Sequence, residues 1–138
     1  MEYLKSKGKI VLKLQKGEEV ISSLSLLIGE LDIKCASVSG IGATDNIVVG
    51  VFNPKTKVYT KNRVLEDMEI LSLSGNLTRK DGAPYVHVHG AFASLEKVYG
   101  GHINECYISA TAEIIIDVID SVVEREFDEE IGLNLLKL

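Results

Sequence analysis

The sequence predicts an α+β fold: a curved, mostly antiparallel sheet with one main helix packed on it, built as a single domain over residues 1–138. Three observations lead there. One segment carries a clean helical period. Several others alternate apolar and polar residues, as half-buried strands do. Turn signals separate them, among them Gly17, Asn53-Pro54 and Asp81-Gly82.

The elements follow in order. Ile10, Leu12 and Leu14 alternate with Lys9, Val11 and Lys13, which predicts a strand over 9–14. Gly17 ends it. Val20, Leu24, Leu27, Ile28 and Leu31 recur every three to four residues, which predicts a helix over 18–32 with Glu18 and Glu19 in its first turn. Strands are expected over 34–39 and 47–52, separated by a positive-φ turn at Gly40-Ile41-Gly42. That glycine pair is no dinucleotide fingerprint, because Asp45 stands where the third glycine would be. Val58 and Tyr59 read as an edge strand. Residues 69–77 and 85–93 read as a hairpin whose loop looks longer than two residues. Residues 110–123 tolerate a helix, but Ile114, Ile115 and Ile116 are β-branched and favour a strand. Leu133, Leu135, Leu136 and Leu138 form either a last short strand or a packed tail.

Composition narrows the function. A net charge of −5 argues against sequence-independent nucleic-acid binding, which needs many phosphate-neutralising cations. The charge is uneven: lysines gather at 5–16 and 55–61, and acids at 117–130. Each run reads first as a solvated face. No apolar run approaches the roughly 20 residues that cross a bilayer. The first residues lack a signal-peptide pattern, so a cytoplasmic location is expected. Cys35 and Cys106 do not resemble a disulfide framework. Both read as small buried hydrophobes, although Cys106 would share a face with His102 on an unbroken strand.

The three histidines are the informative feature. His87-Val88-His89 places two imidazoles on one face of a strand, with Val86 and Val88 on the other. Gly100-Gly101-His102 supplies the third, either at a simple bend or where the backbone approaches a metal. Three histidines with an open fourth position suit zinc or another divalent transition metal. The plainer reading is three satisfied polar side chains. Glu113 interrupts an apolar run and is either a solvent-facing strand residue or a carboxylate supporting the metal, as general base or hydrogen-bond acceptor. Glu69 and Arg79 flank the hairpin and are lesser candidates of the same kind.

The order of these motifs resembles the PPC domain, the plant and prokaryote conserved domain. The likeness runs through Val11-Leu12-Lys13-Leu14 with Gly17-Glu18, Ser39-Gly40-Ile41-Gly42-Ala43, and Glu69 to Asn76. It continues through His87-Val88-His89-Gly90, Gly100-Gly101-His102 and Thr111-Ala112-Glu113. The resemblance implies a homotrimer, a metal held by His87, His89 and His102, and a regulatory or scaffolding role. In plants the domain follows a DNA-binding AT-hook, but no Arg-Gly-Arg-Pro occurs here, so direct DNA binding of that type is in doubt. The chain is also similar in architecture to acetolactate decarboxylase, which holds zinc through three histidines. That implies a second reading, a zinc-dependent lyase or hydrolase acting on a small carbonyl ligand at the metal.

Overall fold

A computed structural model describes residues 1–138. Eight strands and one helix follow in the order β1 (Glu2–Ser6), β2 (Lys9–Gln15), α1 (Val20–Glu30), β3 (Ala36–Asn53), β4 (Val58–Lys80), β5 (Ala83–Ala93), β6 (Val98–Val118), β7 (Glu124–Asp128) and β8 (Leu133–Lys137). All belong to one sheet. β3 pairs with β4 and β6, and β5 also pairs with β4 and β6, so these four close into a ring. The β1–β2 hairpin extends the sheet from β6, and β7–β8 extends it from β4. Every pairing is antiparallel except the short β4–β7 contact at Arg79 and Glu124. The expected α+β class, with one helix on a curved, mostly antiparallel sheet, is what forms.

Alternation decides which face is core. In β2, Ile10, Leu12 and Leu14 are buried while Lys9, Val11 and Lys13 are exposed. β6 repeats this with Ala112, Ile114 and Ile116 inside and Glu113, Ile115 and Asp117 outside. The inner residues join Leu24, Leu27 and Ile28 of α1 in one continuous core. The helix packs against β5 and β6.

The helix is shorter than its period suggests, two residues at each end. Glu19 caps it: its carboxylate accepts from Ile21 N at 2.9 Å and Ser22 N at 2.7 Å, and also from Cys106 N at 3.0 Å. Glu18 lies outside, where its carboxylate accepts from Gln15 N and pairs with the Met1 amino group. At the other end Arg79 is only 4 % exposed. Its Nε donates to Ile33 O at 3.0 Å and its Nη2 to Ile28 O at 3.1 Å. A cation at a helix C-terminus satisfies carbonyls the helix leaves free. Arg79 therefore caps α1, and the candidate role beside a metal is corrected.

Three other expectations change. The strands expected over 34–39 and 47–52 are one strand, β3, with bulges between Gly40 and Gly42 and between Thr44 and Asn46. Gly40 and Gly42 do not have positive φ. Close approach explains them instead, since a Cβ on Gly42 would meet Thr111 O at 2.5 Å. Val58 and Tyr59 begin β4 and pair with β3 on one side only, so this end of β4 is the expected edge. The β4–β5 turn has two residues, Asp81 and Gly82, with φ of 52° and 77°. Positive φ at both central positions fits a type I′ hairpin, whose twist matches the strands it joins. Residues 110–118 are strand, the end of a β6 that begins at Val98, and residues 133–137 form β8.

Candidate metal centre

β5 and β6 bring the three histidines together. His87 and His89 share the outer face of β5, and Val88 between them is fully buried. The helix and core thus lie behind the strand and the imidazoles lie in front. His89 stands directly across from His102 in the β5–β6 ladder. The third ligand candidate arrives as a cross-strand neighbour on β6. Gly101 has φ of 150°, and a Cβ there would lie 2.8 Å from Gly50 O. The glycine lets β6 pass β3 and β5 at the point where the ring closes.

The ring centroids are 5.2 Å apart for His87 and His89, 5.2 Å for His87 and His102, and 5.5 Å for His89 and His102. One nitrogen from each ring lies within 4.8 Å of the other two. Tetrahedral zinc with bonds of about 2.0–2.1 Å needs ligand nitrogens about 3.4 Å apart. Closure therefore requires about 1.4 Å of movement at most, within reach of small side-chain rotations. His89 is exposed and the other two are half-buried, so the set is open on one side. The residues fit a three-nitrogen site with a free position.

Neighbours support the rings. Asn76 and Ser74 of β4 stand across from His87 and His89. Arg125 of β7 lies behind His87, its Nη2 3.3 Å from Nδ1. The same guanidinium donates to Asn76 Oδ1 at 2.7 Å, Thr78 Oγ1 at 3.0 Å and Asn134 O at 2.8 Å, and it stacks on Tyr85. Beside His102, the Tyr59 ring meets the imidazole edge-on at 6.2 Å. Asn104 donates to the Tyr59 hydroxyl at 2.6 Å.

Burial holds His87 down at about 4 from its ordinary 6.5, helped by Arg125 and then by the other histidines. Burial, His89 and Lys61 lower His102 in the same direction. Metals need neutral imidazole, so these rings are poised as ligands above mildly acidic pH. A stability consequence follows. The unfolded chain binds a proton at residue 87 near pH 6.5 and the folded one only near 4, so stability rises with pH across that window. Metal-free protein should therefore lose urea resistance as pH falls from 6.5 towards 4, and His87→Gln should flatten that slope. An unchanged midpoint over this range would contradict the buried neutral ring.

The other sequence candidates lie elsewhere. Glu113 is exposed and sits eleven residues further along β6, roughly 35 Å of strand from His102. It pairs in register with Lys13 and Ile41 on the outer face. Glu69 is exposed on β4, across from Ala43 and Ala93. Cys106 is fully buried, and burial pushes its thiol up to about 12. A register shift explains its direction: Val49 pairs with Ile103 but Val48 with Glu105, so Asn104 is an extra residue that flips the alternation. Cys35 is buried and free as well. Asn76, Tyr59 and Arg125 carried no such signal in the sequence. Arg125 lies between Glu124 and Glu126, in what reads as a solvated acidic run.

Comparisons agree with this arrangement. No curated protein matches the chain. A metal-containing protein from Archaeoglobus fulgidus is 33% identical over 99% of this chain and 97% of its own, with a TM-score of 0.88. A supposed DNA-binding protein from Bacteroides thetaiotaomicron is 26% identical, with a TM-score of 0.95 over 99% of this chain and 96% of that one. A Staphylococcus aureus protein of unknown function, similar to α-acetolactate decarboxylase, shares the fold at 16% identity. Its TM-score is 0.55 over 83% of this chain and 53% of that one. The pattern of the Plants and Prokaryotes Conserved domain matches residues 1–120. With its closed sheet, single helix and clustered histidines, the chain belongs to the Plants and Prokaryotes Conserved domain family.

Proposed function

We propose that this protein is a homotrimeric metal-binding module with a regulatory or scaffolding role, in which His87, His89 and His102 hold zinc. The convergence of three imidazole nitrogens within 4.8 Å carries the reading. Bound zinc would supply Lewis acidity at its open position, where water or a small ligand sits. The chain's own part is to hold the three rings together and keep that position accessible beside exposed His89. The metal-containing Archaeoglobus relative supports the reading. Protein purified without tag or chelator should carry close to one equivalent of zinc per chain by elemental analysis. Metal-free protein that takes up no zinc on titration would refute it.

The trimer rests on the family and on one surface. Val11, Ile41, Leu71 and Ile115 are all more than 40 % exposed on the outer face and line one groove. Contiguous exposed apolar surface marks interaction sites. Light scattering should give about three times the 15.1 kDa chain mass; a monomer would remove this part. No helix is long and apolar enough to cross a membrane. We place the protein in the cytoplasm, where its two free cysteines stay reduced.

A zinc-dependent lyase is the second reading, supported by the fold shared with the decarboxylase-like protein. It ranks below because no carboxylate joins the three histidines and Glu113 is remote. Turnover of a 2-hydroxy-3-oxo acid that disappears with His89→Ala would reverse the ranking. DNA as a partner is tested by duplex retardation at low salt, weakened when Lys55 and Lys57 are neutralised.

A further inference from the structure

Arg125 is 6 % exposed, and its guanidinium ties the β7–β8 hairpin to the face that carries the histidines. Nε donates to Thr78 and Nη2 to Asn76, both on β4, while Nη1 donates to Asn134 O on β8. Asn76 and Thr78 share a face, and His87 and Tyr85 of β5 stand across from them. Elsewhere the hairpin is held lightly. β7 meets β4 at one register pair, Arg79 with Glu124, and Lys57 Nζ donates to Glu129 O at the turn. Nη2 of Arg125 also lies 3.3 Å from His87 Nδ1. A guanidinium carries only donors, and a neutral imidazole has one unprotonated nitrogen. This contact therefore occupies the lone pair of His87 that a metal would need. The arginine has no acid to turn to, since it forms none of the molecule's salt bridges.

We infer that β7–β8 is a strap whose docking competes with metal binding, with Arg125 as the residue that couples the two. This rests on the metal reading above and gives that site its regulation. Coordination through Nδ1 of His87 takes the place of the guanidinium. Coordination through Nε2 puts the imidazole proton on Nδ1, where it faces the arginine N–H. Both routes end the bond between Arg125 and His87. Loading also brings two positive charges beside a buried cation, and no carboxylate joins the three histidines to offset them. Like charges this close repel, and more strongly where water is excluded. The guanidinium leaves, and the bonds to Thr78 and Asn76 that hold the hairpin on β4 go with it. Loading thus frees β7–β8 and uncovers Asn76, Thr78 and Tyr85. By linkage, a docked hairpin weakens metal binding by the same factor. Loaded and empty protein then present different surfaces, as a regulatory module requires.

Two measurements test this. The first is zinc affinity at about pH 8, where free imidazoles are neutral, read by competition against a chromophoric chelator. Removing a residue that merely supports a metal ligand weakens binding about 10–100-fold. Arg125→Met should instead tighten it about tenfold, so the sign of the change separates the two roles. The second is hydrogen exchange in the wild-type chain, which needs no variant and stands even where Arg125→Met fails to fold. Saturating zinc should speed exchange of the β7 and β8 amides about tenfold and leave those of β1 and β2 unchanged. Exchange in β7 and β8 that zinc slows or leaves unchanged overturns the inference. So does equal or weaker zinc binding by folded Arg125→Met. Either result leaves the metal reading standing as long as wild-type protein takes up zinc, whereas failure of that uptake removes both.

Discussion

His89→Ala should abolish tight metal binding and leave the fold intact. The ring is exposed and takes no part in the core, so its loss creates no cavity. Its removal leaves two nitrogens, on different strands, to hold the ion. Losing a residue that merely supports a ligand typically costs about 10–100-fold in affinity. Losing a ligand should exceed that, so we expect a loss above about 100-fold, or roughly 3 kcal/mol. Competition against a chromophoric chelator measures it, with circular dichroism as the check on folding. Wild-type affinity in the variant would mean that the three rings do not act together.

Gly75→Ala should damage both fold and site. Gly75 lies in β4 between Val38 of β3 and Val88 of β5. A Cβ there would stand 2.0 Å from His87 O and 2.7 Å from Val88 Cα. Both are backbone atoms of the strand that carries two of the histidines, so no side chain can swing aside to make room. β5 must move. Forced overpacking typically costs about 1–3 kcal/mol, and the upper end is expected for backbone against backbone. For a chain of this size that corresponds to a fall of roughly 10 °C in Tm. Metal affinity should fall too, because the displaced strand carries His87 and His89 away from His102. An unaltered melting temperature would show that β4 and β5 are not held this closely.

Much of this was legible in the residues. Alternation marked β2 and the β4–β5 pair, and the helical period marked α1. The His-x-His spacing put two rings on one face, and His102 joined them. What escaped has physical causes. The sequence does not show that β3 runs through Gly40-Ile41-Gly42, because a glycine chosen for close approach looks the same as one chosen for a turn. Cys106 appeared to share a face with His102 because the bulge at Asn104 is set by pairing with β3, a partner about sixty residues away in the chain. Glu113 looked suggestive only because distance along a strand is invisible in an order of motifs. Arg79 and Arg125 are buried by long-range contacts that no local pattern announces.

The sheet is assembled from distant pieces: β2 meets β6 across about a hundred residues. Such pairings raise contact order and close slowly. The three imidazoles escape that delay. They lie within the hairpin of β5 and the start of β6, joined by the short turn Ser94–Lys97. A chain still emerging from the ribosome can therefore bring the three histidines together before residues 103–118 find β2 and β3. An ion captured then would pin the hairpin and give the later strands a fixed edge on which to nucleate.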